Sequence, residues 1–100
     1  MSLNPRQRQY LKGLAHRLSP IVQIGGAGIT DAVERATDAA LEDHELIKVK
    51  LPKGWEGDRR ETARELATAV GGEVCQVIGR VIVMYRRRRA DGRDRIELPQ

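Results

Sequence analysis

Gly25-Gly26-Ala27-Gly28 falls between an apolar run, Ile21-Val22-Gln23-Ile24, and a helix start at Thr30. Glycines at such a junction let backbone approach a ligand closely and take positive φ, and the first N–H groups of the helix that follows lack internal partners. A phosphate suits that arrangement, although the same spacing also serves an ordinary strand-to-helix turn. Two better-known glycine signatures are absent. From Gly26 the residues run Gly26-Ala27-Gly28-Ile29-Thr30-Asp31, with Asp31 where a dinucleotide-binding turn needs its last glycine, and the Gly-Lys-Ser/Thr triplet of a P-loop does not occur.

Catalytic constellations are thin. His44-Glu45-Leu46-Ile47-Lys48 begins like a zinc-protease helix, but Lys48 stands where the second histidine must be. His44 instead suits the negative end of a helix, and His16, near a helix end, reads as a structural residue or an RNA contact. Cys75 alternates with Val74 and Gln76 and reads as a small core residue. With one cysteine there is no internal disulfide, and no Cys and His set has zinc spacing. The expectation is a protein that is not an enzyme, with no metal, no cofactor and no small-molecule substrate.

Charge carries more information. The chain has 18 Lys and Arg against 14 Asp and Glu, a net +4, with a pI near 9.7. Residues 1–20 hold four bases and no acid, residues 21–79 hold 7 bases and 11 acids, and residues 80–100 hold 7 bases and 3 acids. A basic, acidic, basic layout suits a polyanion, nucleic acid above all. The candidate contacts are Arg6, Arg8 and Lys12 near the start, Lys48 and Lys50 in the middle, and Arg86, Arg87, Arg88 and Arg89 near the end. Only Tyr10, Trp55 and Tyr85 are aromatic, so recognition must rest on charge and shape more than on stacked bases. Trp55, in a glycine-rich loop, either meets the ligand or packs over the loop base. A start without an apolar signal core, and no run approaching the roughly 20 residues of a membrane helix, lead us to expect a soluble cytoplasmic protein without a membrane partner.

These residues need elements to hold them. Asn4-Pro5 is a helix start, and Leu11, Leu14, Ala15 and Leu18 recur at helical spacing towards His16. A short buried strand follows at Ile21 to Ile24. Thr30 caps a second helix with Val33, Ala36, Ala40 and Leu41 on its apolar side, ending near His44. Leu46 to Leu51 is a strand in which Lys48 and Lys50 share a wet face. Asp58 and Glu61 form a capping box for a third helix, stopped by Gly71-Gly72. Strands Glu73 to Ile78 and Val81 to Tyr85 then flank Gly79-Arg80, a hairpin turn. The order αβαβαββ predicts a two-layer α/β sandwich with a mixed four-stranded sheet. One domain fits, over residues 1–87, with 88–100 as a basic tail; the run from Arg86 to Arg95 is too polar and charged to bury, while Ile96 and Leu98 can dock back.

Four ordered blocks carry a family resemblance: Lys12-Gly13-Leu14-Ala15-His16-x-Leu18-x-Pro20, Gly25-x-x-Gly28-Ile29-Thr30, His44 to Lys50, and Gln76-Val77-Ile78-Gly79 with Val83 to Arg86. Together they resemble the CRM domain (chloroplast RNA splicing and ribosome maturation), and within it the stand-alone bacterial YhbY-like proteins. The resemblance implies a fold similar to the C-terminal domain of translation initiation factor three. It also implies RNA binding without catalysis, association with precursors of the large ribosomal subunit, and a G-x-x-G loop at Gly25 to Gly28 that meets RNA. Because Gly26 and Ala27 bring no basic or hydrogen-bonding side chain, any phosphate contact there falls to backbone. Two other classes fit the same composition: a DNA-binding architectural protein, and an adaptor whose acidic helices bind another protein.

Overall fold

The computed structural model describes residues 2–90, 92 and 94–100. Its elements are α1 (Pro5–Ala15), β1 (Val22–Gln23), α2 (Asp31–His44), β2 (Leu46–Lys50), α3 (Arg59–Val70), β3 (Glu73–Ile78) and β4 (Val81–Tyr85), the order expected from sequence. Each helix starts on a side chain able to satisfy its orphan N–H groups. Thr30 Oγ1 accepts from Val33 N and Asp58 Oδ1 accepts from Arg60 N and Glu61 N. The full reciprocal box forms at α1, where Asn4 and Gln7 exchange side-chain and backbone bonds, rather than at the Asp58 and Glu61 pair. Gly71, at φ 69°, ends α3 in the left-handed conformation a C-terminal glycine supplies.

The sheet runs β1-β2-β4-β3. β1 lies parallel to β2, which the α2 crossover permits, while β2 with β4 and β4 with β3 are antiparallel. Ile78 faces Val81 across the Gly79-Arg80 turn, and Gly79 takes φ 56°, as a two-residue turn with glycine first requires. α2 and α3 cover one face, burying Leu41, Leu66 and Val70 against Ile47, Val49, Ile82 and Met84. α1 crosses the other face, where Leu11 and Ala15 meet Leu46, Cys75, Val83 and Tyr85. A partial third layer thus joins the expected sandwich of sheet and helices.

Several side chains sit differently from their sequence pattern. Leu14, Leu18 and Ile21 are exposed because α1 covers only part of its face of the sheet. On α2 the buried small residue is Thr37, whose hydroxyl donates to Val33 O, and Ala36 is exposed.

The largest correction concerns the C-terminal segment. Arg86 and Arg88 are 7% and 8% exposed, so this stretch is not too charged to bury. Their charge is tolerated because acceptors meet the guanidinium Nη groups, although Arg86 Nε has no partner among the described residues. Arg86 Nη1 donates to Asp38 Oδ1 at 2.6 Å and Val70 O at 2.9 Å; Arg88 donates to Glu42 O at 2.8 Å and Asp43 O at 2.6 Å, capping the negative end of α2, and also to Asp94 O. Glu45 completes the anchor. It is buried with φ 63°, and its carboxylate accepts from Arg88 N at 2.7 Å and Ile96 N at 2.6 Å. Ile96 and Leu98 pack against the α1 side of the core, and Gln7 Nε2 donates to Pro99 O at 3.0 Å. Arg88, Ile96, Leu98 and Pro99, expected in a tail beyond the domain, lie against it.

Candidate nucleic-acid interface

The glycine turn closes on itself through Gly28 N donating to Gly25 O at 3.0 Å. Gly28 holds φ 79°, a conformation that any side chain would strain, so the fold itself requires this glycine. Gly25, Gly26 and Ala27 are exposed. A Cβ on Gly25 or Gly26 would meet nothing within 4 Å, so the outer side of the turn is open to a ligand. Behind it stands Trp55, whose Cη2 lies 3.5 Å from the position of a Gly28 Cβ. The indole is half-buried against the α2 and α3 side of the core, so it packs over the loop base. Its Nε1–H, against which a Cβ on Gly57 would press at 2.9 Å, has no hydrogen-bond partner among the described residues. Beyond the turn, Thr30 already occupies the start of α2, and Asp31 and Glu34 bring negative charge to its first turn. A phosphate at the turn is therefore best served by the backbone of Gly26 and Ala27, ahead of the helix end.

The cations divide into groups. Arg8 and Lys12 stand one helical turn apart on α1 and face the outer strand β3. Lys48 and Lys50 lie on the α1 side of β2 and are half-buried; Lys48 Nζ donates to Leu18 O at 2.8 Å. Arg6 is exposed on α1. The four arginines expected to act as one cluster do not. Arg86 and Arg88 are consumed by the contacts described above, while Arg87 is exposed and Arg89, 63% exposed, lies 3.5 Å from Asp38. Burial is decided here by acidic residues more than 40 positions earlier in the chain. This end of the molecule adjoins the C-terminal half of α2, whereas the glycine turn precedes its N-terminus, and a 14-residue helix is roughly 20 Å long.

A family model for the CRS1 / YhbY (CRM) domain matches residues 3–86. The chain belongs to this family. A protein of Haemophilus influenzae named "RNA-binding protein" is 43% identical over 89 residues, covering 85% of this chain and 86% of that one. The "Probable RNA-binding protein YqeI" of Bacillus subtilis is 35% identical over 97 residues, covering 97% and 99%. Among solved structures, the hypothetical protein SAV1595 from Staphylococcus aureus superposes with a TM-score of 0.81 at 41% identity, covering 98% of this chain and all of that one. The match spans the whole αβαβαββ order, so fold and family agree.

Within this CRM domain, sequence reasoning missed two cations. Arg60 and Arg64 on α3 line the same groove as Arg8 and Lys12, with Cys75 at its floor. Their i, i+4 spacing was visible, but nothing local indicates that α3 meets β3 from the side opposite α1. Cys75 itself is 3% exposed, and burial pushes its thiol up to about 12 despite the nearby Arg8 and Lys12 charges. A protonated, covered thiol is no nucleophile. Among the described residues, no three His, Cys, Asp or Glu side chains are placed to hold a metal, and no helix is long and apolar enough to cross a membrane.

Proposed function

We propose that this CRM domain is a non-enzymatic RNA-binding protein of the cytoplasm that associates with precursor RNA of the large ribosomal subunit during its assembly. The observation that carries the reading is the open glycine turn, a surface of accessible backbone held in shape by Trp55, in a chain whose relatives are named as RNA-binding proteins. In this reading Gly25, Gly26, Ala27 and Gly28 seat a phosphate by backbone contact, and Arg6, Arg8, Lys12, Lys48 and Lys50 add charge. Of the arginines near the end, Arg87 and Arg89 remain able to reach RNA, while Arg86 and Arg88 serve the fold. The role is to hold an immature RNA shape until folded RNA or ribosomal protein covers the site.

Ala27→Glu tests the turn. The position is exposed, so the variant should melt within a few degrees of the parent and bind structured RNA at least about tenfold more weakly, since a carboxylate would stand where a phosphate belongs. Unchanged RNA affinity would remove the turn from the interface. Competition with duplex DNA separates the architectural alternative, which requires DNA to displace RNA at equal concentration.

A further inference from the structure

The outer edge of β3 runs along the floor of a groove of about 480 Å³ walled by two helices. β3 pairs only with β4, so its other side presents unpaired backbone, and its ladder is interrupted between Val74 and Gln76. Arg8 and Lys12 of α1 line one wall; Arg60 and Arg64 of α3 line the other. In each pair the residues are four apart, hence on one helix face and about 6 Å apart along the axis. That step is comparable to one nucleotide of sugar-phosphate backbone.

The chain does little with these cations, although it engages several others. Arg59, Arg86, Arg88 and Lys48 each donate to backbone carbonyls at 3.1 Å or less. Lys12, Arg60 and Arg64 make no side-chain hydrogen bond or ion pair among the described residues, and Arg8 reaches only Leu3 O, at 3.5 Å. Glu61 and Glu65 share α3, and Glu73 opens β3, yet none forms an ion pair with the four. Gathering four positive groups around one groove costs energy that an anionic ligand would relieve.

We propose that this groove is a second phosphate-binding site, taking a stretch of RNA backbone along the β3 edge. The inference rests on the RNA-binding reading and extends it. The glycine turn follows β1 and the groove lies on β3, so the two sites flank opposite edges of the sheet, whose edge strands lie about 14 Å apart across three strand spacings. Two backbone segments of a folded RNA, one at each site, would be held in a fixed relation. Charge beside a free strand edge can also simply keep other strands from pairing with it; in that case RNA binding would not respond to it.

The experiment compares the parent, R60Q/R64Q, R8Q/K12Q/R60Q/R64Q and the control R35Q, an exposed arginine on α2. Each is titrated with one RNA hairpin and with its unpaired linear counterpart across a range of salt. Gln replaces exposed Arg in α3 with little helix cost, so R60Q/R64Q should melt like the parent. At about 0.7–0.9 in log–log salt slope per phosphate contact, R60Q/R64Q should flatten the slope by roughly 1.5 units and weaken hairpin binding about tenfold or more, and the fourfold variant should flatten it by roughly 3. The linear RNA should lose less. If the parent binds RNA while R60Q/R64Q matches R35Q in affinity and slope, the groove is overturned and the RNA-binding reading stands; new self-association in that variant would identify the cations as guards of the strand edge. Polyglutamate displacing the hairpin from the parent at lower charge concentration than a second RNA would assign the groove to an acidic protein and also overturn it. A parent that binds no RNA refutes both readings.

Discussion

At the scale of single residues, two neighbouring arginines have opposite fates. Arg86 is enclosed by Asp38, Glu42 and the carbonyl of Val70, whereas Arg87 points to solvent. Removing Arg86 leaves the buried Val70 carbonyl without this donor while the more exposed Asp38 and Glu42 are re-solvated, so Arg86→Ala should lose about 1–2 kcal/mol in denaturant unfolding, while Arg87→Ala should stay within about 0.5 kcal/mol. Equal costs for the two would mean that the Asp38 pairing contributes nothing. Cys75 permits a test by pH. Its folded thiol titrates near 12 against about 9 when exposed, so between these values the folded state holds more protons than the unfolded one. Stability should therefore be unaffected by this group below pH 9 and decline above it, by at most about 1.4 kcal/mol per pH unit. Tyr85 is raised as well by burial, which adds to the decline above pH 10. Cys75→Ala should flatten the branch between pH 9 and 10, and the parent thiol should resist alkylation at pH 8 unless the protein is unfolded.

At the scale of elements, the C-terminal segment behaves as part of the domain. Ile96 and Leu98 pack on the α1 side of the core, Arg88 caps the carbonyl end of α2, and Glu45 tolerates a positive φ, at about 1–2 kcal/mol, while binding two N–H groups of that segment. Truncation after Arg87 should destabilise the domain by about 3 kcal/mol and expose Leu46 and Tyr85 to solvent, measurable by melting and by dye binding. A truncated chain as stable as the parent would restore the picture of a loose tail. How much of this was legible follows from the range of each interaction. Asn4, Thr30, Asp58 and Gly71 mark helix ends because caps act over three or four residues. The Gly25 to Gly28 turn was legible for the same reason, being a local demand on backbone. Arg86 and Arg88 were not, since Asp38, Glu42 and Glu45 lie over 40 positions away and only the β2–β4 pairing brings them close. Leu14 and Leu18 fit the apolar stripe of α1 in sequence, but the stripe is wider than the sheet surface α1 covers.

At the scale of the whole molecule, the sheet separates the two surfaces proposed to bind RNA. One edge carries accessible backbone beside Trp55, and the other carries cations that the chain leaves unpaired. If both bind RNA, fixing them on one four-stranded sheet would let a protein poor in stacking aromatics recognise RNA by shape. Gly28→Ala belongs to this scale as well. It should cost about 1–2 kcal/mol in stability through its φ of 79°, and weaken RNA binding only as far as the turn deforms, so binding and melting should fall together. Ala27→Glu should instead separate them, losing binding at nearly constant stability. The most direct measurement is to crosslink the protein to RNA in cells and sequence what it holds. The account predicts reads concentrated in large-subunit ribosomal RNA and enriched in its unprocessed precursors over mature particles. Reads spread evenly over cellular RNA, or recovery with chromosomal DNA instead, would contradict it.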